Sequence, residues 1–115
     1  MIRVILAAAL LAAPLAASAA DAPAAAPTID AKQLYDKNCK NCHGADGKAQ
    51  TKMGKKYEID SFADADWQAK HSDEKIREVI ANGKPKTKMK AYKSKLSAEQ
   101  IDALVKYVRT FNPAK

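Results

Sequence analysis

Apolar residues recur at helical spacing in three separate stretches of this chain, and no stretch shows the one-in-two alternation of a strand. The last stretch is the clearest. Ile101, Leu104, Val105 and Val108 share one face, Ser97 with Gln100 forms a capping box ahead of them, and Pro113 lies just beyond. An earlier stretch carries Ile76, Val79 and Ile80, with Ser72 as N-cap, Asp73 and Glu74 in the first turn and Gly83 at the end. The first stretch carries Ala31, Leu34, Tyr35 and Asn38 behind the capping pair Asp30 and Gln33. Between these, Asp60 to Lys70 predicts a short helix with Phe62 and Trp67 on its inner side. Lys48 to Ile59, with Gly54 as a turn, and Lys84 to Lys95, with Pro85, read as loops. The pattern predicts an all-α fold in one domain over residues 30–113, without internal repeats.

The chain ahead of Asp30 has a different character. Arg3 precedes an unbroken apolar run from Val4 to Ala13, then Pro14, then the small-residue segment Ala17-Ser18-Ala19. That is the anatomy of a secretory signal peptide over residues 1–20, cleaved after Ala19 or Ala20. A membrane-spanning helix would need about 20 apolar residues, and Pro14 interrupts this run well before that; an uncleaved N-terminal anchor is the alternative. Residues 21–29, rich in alanine and proline, read as a flexible tail. The expected mature protein is exported, periplasmic and without stable membrane insertion.

Composition sharpens this picture in two ways. Much of the 47% hydrophobic content is alanine in the leader, and large apolar side chains are sparse afterwards. A domain this small folds with a thin margin, so a buried apolar cofactor would supply what the side chains lack. The formal net charge is +7, and the leader contributes only Arg3 to it. A basic balance suits nucleic acid, anionic lipid or an acidic protein, and export argues against nucleic acid. The two cysteines of an exported chain should form a disulfide or hold a cofactor. A disulfide across two intervening residues would close too small a loop to restrain the chain much.

The cysteines lie in Cys39-Lys40-Asn41-Cys42-His43. This spacing attaches haem covalently. Each thiol adds across one vinyl group to give a thioether, and the turn between them aims the imidazole of His43 at the iron as proximal ligand. Two other readings compete: a thioredoxin-like thiol pair, which needs a βαβ setting, and zinc with His71 as an additional ligand. Adjacent Cys42 and His43 are poorly placed to share one tetrahedral ion, and no second close pair is present.

The sixth iron position has three candidates in the residues themselves. Met89 lies in a loop between helices that can fold over the second haem face, and its soft thioether would favour ferrous iron. Met53 could act likewise from the earlier loop, and His71 would give two-histidine ligation. An open site would instead mean a haem enzyme or a gas-binding protein. Lys84, Lys86, Lys88, Lys90, Lys93 and Lys95 crowd the loop around Met89 and could steer acidic redox partners toward a haem edge. Trp67, Tyr57 and Tyr92 are candidates for packing, or for a hydrogen bond to a haem propionate.

With the Cys39–His43 motif near the start, Thr87-Lys88-Met89-Lys90-Ala91-Tyr92 two-thirds along and the closing helix from Leu96-Ser97 through Tyr107-Val108-Arg109, the chain resembles the small class I c-type cytochromes of bacteria. The resemblance implies the cytochrome c fold, three to five short helices around one covalently bound haem c. It implies a monomeric single-electron carrier rather than an enzyme, with Met89 as distal ligand opposite His43. It also implies contact between the first and last helices through Ala31, Tyr35 and Tyr107. In one respect the chain departs from many members: no proline lies between Cys42 and Pro85, so no proline carbonyl is at hand to accept the Nδ1–H of His43.

Overall fold

The computed structural model describes residues 28–114. The expected leader over 1–20 and the segment 21–27 of the expected tail lie outside the described residues.

Among the described residues the chain is helical, with α1 at Ala31–Asn38, α2 at Lys40–His43, α3 at Lys52–Lys56, α4 at Ala65–Lys70, α5 at Asp73–Asn82 and α6 at Ala98–Arg109. Side-chain caps set most of the N-termini. Asp30 accepts from the Gln33 amide, Ser72 from that of Lys75, and Ser97 and Gln100 close a reciprocal box. Six segments stand where three to five were expected because two are very short. Cys39 interrupts the first helical run and leaves α2 as a separate turn. The stretch 48–59, read as a loop, contains α3, whose cap is Thr51. The helix expected over 60–70 begins only at Ala65, capped by Asp64.

The core follows the periodicity. Ile101, Leu104, Val105 and Val108 of α6 are buried together with Ile76 and Ile80 of α5, Tyr35 of α1 and Phe62. α6 packs against both α1 and α5. The α1–α6 contact is aromatic: the Tyr35 ring lies 4.9 Å from Tyr107 and 5.4 Å from Phe111.

A second set of contacts joins α4 to the end of α6. Gln68 is only 4% exposed and its amide donates to the carbonyls of Phe62 (2.7 Å) and Val108 (3.1 Å). Arg109 donates to the Gln68 side-chain oxygen and backbone carbonyl, both at 2.8 Å, to Asp73 at 2.6 Å, and to the His71 carbonyl.

Gly54 is not the turn expected of it. It lies inside α3, and it is there for its lack of a side chain. A Cβ at this position would meet the Ala49 carbonyl oxygen at 2.0 Å and that of Cys42 at 3.0 Å, so only glycine lets α3 lie flat on the segment after His43.

Two outcomes follow for stability. Leu104→Ala, at a site 1% exposed, should cost about 2–5 kcal/mol by lost transfer energy and a cavity, read as a lower urea midpoint. For Gly54→Ala, helix propensity alone favours alanine by about 1 kcal/mol. The backbone collision reverses that sign, and a net loss of about 1–3 kcal/mol is expected in the same titration; a stabilised variant would refute the close-approach argument.

Candidate functional site

The five residues from Cys39 to His43 straddle the break between α1 and α2, and their backbone is held from outside as well as within. Inside the turn, the Cys42 and His43 amides donate to the Cys39 carbonyl at 3.2 and 2.9 Å, and the Gly44 amide to that of Lys40 at 2.8 Å. Around it, the Thr51 hydroxyl donates to the Cys42 carbonyl at 2.7 Å and the Ala49 amide to that of His43 at 2.8 Å. The buried Tyr35 hydroxyl donates to the Gly44 carbonyl at 2.6 Å. Gly44 itself has φ +80, a backbone geometry that favours glycine and turns the chain away directly after His43.

The side chains in this turn have the chemistry that haem attachment requires. Cys39 and Cys42 are both free thiols, half-buried. Burial, with a smaller contribution from Cys42, pushes the Cys39 thiol up to about 12. It is therefore protonated at neutral pH and behaves as a small apolar group. A thiol–disulfide catalyst needs the opposite, a thiol depressed by nearby positive charge, and the described residues contain no strand to build a βαβ unit around it. Burial also brings His43 down to about 4, so its imidazole is neutral near pH 7, the form that binds a metal. Two free thiols followed by a neutral imidazole can hold haem c. Among the described residues no three His, Cys, Asp or Glu side chains cluster to hold a lone ion.

The imidazole of His43 is packed face to face on Phe62, ring centres 4.4 Å apart and planes 17° from parallel. Its Nδ1 is buried without a hydrogen-bond partner. Phe62 touches Trp67 (4.8 Å), and Trp67 stacks on His71 (4.4 Å, 20°). His71 is thus engaged at the far end of an aromatic row, with its Nδ1 2.8 Å from the Trp67 carbonyl.

The loop after α5 is brought back to the motif. The Tyr92 hydroxyl donates to the carbonyl of Asn38, the residue before Cys39, at 3.0 Å. Within the loop, the Lys84 amide donates to the Met89 carbonyl (3.2 Å), while the Tyr92 and Lys93 amides return to Ile80 (2.9 Å) and Ala81 (3.1 Å). Met89 and Tyr92 are half-buried, and both pack against the same core as Cys39 and Trp67. Met53, by contrast, is 37% exposed on α3. Tyr57 caps α3, with the Lys56 ammonium 5.4 Å over its ring. Lys84, Lys86, Lys88, Lys90, Lys93 and Lys95 are all exposed, and none joins an ion pair among the described residues.

Two residues important to this geometry carry no signal in the sequence. Gln68 reads there as one more polar residue in a polar stretch, and Arg109 as a basic residue in a last helical turn. Only the tertiary fold reveals what they touch.

Comparison with known proteins agrees with this geometry. The family profile described as Cytochrome c matches residues 29–112. Among solved structures, the chain is similar to the KustC0563 c-type cytochrome, with 48% identity over 73% of this chain and 99% of that one, at a TM-score of 0.68. A structure of a single-residue mutant of Kustc0563 matches with 46% identity over 73% of this chain and all of that one, at a TM-score of 0.66. A comparison with curated proteins finds no match. The chain therefore belongs to the cytochrome c family, as a small class I c-type cytochrome of all-α fold that binds haem c covalently and serves haem-based electron transfer.

Proposed function

We propose that this protein is an exported, periplasmic single-electron carrier whose haem c is held by thioethers from Cys39 and Cys42, with His43 and Met89 as axial ligands. Residues 30–113 form the cytochrome domain, and residues 1–20 are a leader removed after Ala19 or Ala20. The haem supplies an iron that cycles between ferric and ferrous states. What the chain does is fix two ligands, exclude water and present one haem edge. With both axial positions filled there is no vacancy for a substrate, so the protein is a carrier and not an enzyme.

The observation that carries this reading is the hydrogen bond from Tyr92 to the Asn38 carbonyl, 3.0 Å long. It ties the Met89 loop to the residue preceding the first cysteine, which supports assigning Met89 and His43 to one site. The other candidates for the distal position have competing environments: Met53 is exposed, and His71 is stacked on Trp67. The six exposed lysines flanking Met89 support a docking role toward acidic redox proteins. Their charges lie beside the loop expected to cover a haem edge, where they would speed encounter more than they tighten binding. The protein is expected to act as a monomer.

Met89→Ala, produced with haem-attachment machinery, should lose the sulfur-to-iron band at the red end of the ferric spectrum, and its reduced form should bind carbon monoxide. An unchanged spectrum would move the distal ligand to Met53 or His71; carbon monoxide binding by the unaltered reduced protein would favour an open site. For docking, changing Lys86, Lys88 and Lys90 together to glutamine should slow electron transfer to an acidic redox protein by about 10-fold at low ionic strength. That difference should shrink once the Debye length falls below about 10 Å. A stopped-flow salt series checks both, and a rate indifferent to the substitutions would remove the lysines from the docking account.

A further inference from the structure

A metal-ligating histidine ordinarily donates its second ring N–H to a carbonyl, a carboxylate or water, which fixes the ring plane and strengthens the ligand as a donor. Among the described residues no protein group accepts this bond from His43, whose Nδ1 is buried. The carbonyls of the surrounding turn are already committed. Those of Cys42, His43 and Gly44 accept from Thr51, Ala49 and Tyr35, and that of Gly47 accepts from the Phe62 amide at 2.7 Å.

What meets the ring instead is the face of Phe62, 4.4 Å away and within 17° of parallel. Phe62 is 9% exposed and is restrained at both ends of its peptide. Its N–H is bound to Gly47, and its carbonyl accepts the Gln68 amide at 2.7 Å. Gln68 cannot rotate freely, because its amide nitrogen also serves the Val108 carbonyl while its oxygen accepts from Arg109. The far edge of Phe62 rests on Trp67. A ring held this way is a rigid plate.

We propose that Phe62, braced by Gln68, is the positioning residue for the proximal imidazole: stacking fixes the ring plane of His43 in place of the missing Nδ1 hydrogen bond. An imidazole oriented by stacking donates less electron density to iron than a hydrogen-bonded one, so the ferrous state is favoured. The inference rests on His43 being the proximal ligand.

The test uses the mature, haem-loaded protein. In the reduced, diamagnetic state, the His43 Nδ1–H proton should show a nuclear Overhauser contact to the Phe62 ring and no scalar coupling to any carbonyl carbon; a through-bond coupling would overturn the proposal without any variant. In the ferric state, the order and spread of the haem methyl proton shifts report the axial ring plane. Phe62→Leu should change that pattern, while Phe62→Tyr, which keeps the ring face, should retain it. Gln68→Met, which keeps the volume but frees the Phe62 carbonyl, should shift the pattern in the same direction by less. Methyl shifts that Phe62→Leu leaves unchanged would overturn the positioning role. If the unaltered protein gave no low-spin, histidine-ligated spectrum, the ligand assignment itself would fall. A normal spectrum with indifferent methyl shifts would sink only the role of Phe62.

Discussion

The structure depends on the satisfaction of a short run of backbone carbonyls, from Asn38 to Gly44, by groups drawn from the rest of the chain. Tyr92 serves Asn38, Thr51 serves Cys42, Ala49 serves His43 and Tyr35 serves Gly44. Each bond contributes only about 1 kcal/mol net, but a buried carbonyl left without a partner costs about 1–3 kcal/mol. The penalty for the wrong neighbour therefore exceeds the gain from the right one. That asymmetry specifies register: α1, the turn after Gly44, the cap of α3 and the loop after α5 must all arrive correctly for the four carbonyls to be paired. The segment from Asn38 to Gly44 is thus the place on which the fold converges.

The apolar core complements this polar scaffold rather than replacing it. α6 supplies four buried aliphatic side chains, and α5 two. Half-buried groups, Cys39, Trp67, Met89 and Tyr92 among them, pack against this core. Covalently bound haem c is a large apolar body of the kind that a chain so short of big side chains needs to close a core. The lysines follow the same division. They gather on the loop around Met89, beyond the apolar flank, where no carboxylate neutralises them among the described residues.

What the sequence made legible were the elements with their own local signals. The stripes and caps of α1, α5 and α6 could be read because periodicity and capping act within one turn of the chain. The Cys39–His43 spacing was legible because the attachment chemistry demands it. α3 was missed: five residues rich in lysine have no stripe to read, and its reason for existing is the close approach of Gly54 to Ala49, a contact between segments. Gly54 itself was misread as a turn for the same cause, since a glycine needed for proximity looks identical to one needed for positive φ. Gln68 and Arg109 were invisible because their partners lie about forty residues away in the chain.

The surroundings of His43 and of Met89 are built differently. The Cys39–His43 turn is built from consecutive residues, and the ring stacked on His43 is braced: the Phe62 N–H and carbonyl are both hydrogen-bonded, and Gln68 is held by Arg109. The loop carrying Met89 is held by bonds within itself, two returns to the end of α5 and the single phenol bond of Tyr92. Haem-based electron transfer gains from iron ligands that do not move. The Met89 loop is closed by several hydrogen bonds and flanked by exposed lysines, so its backbone is held while its charge faces solvent.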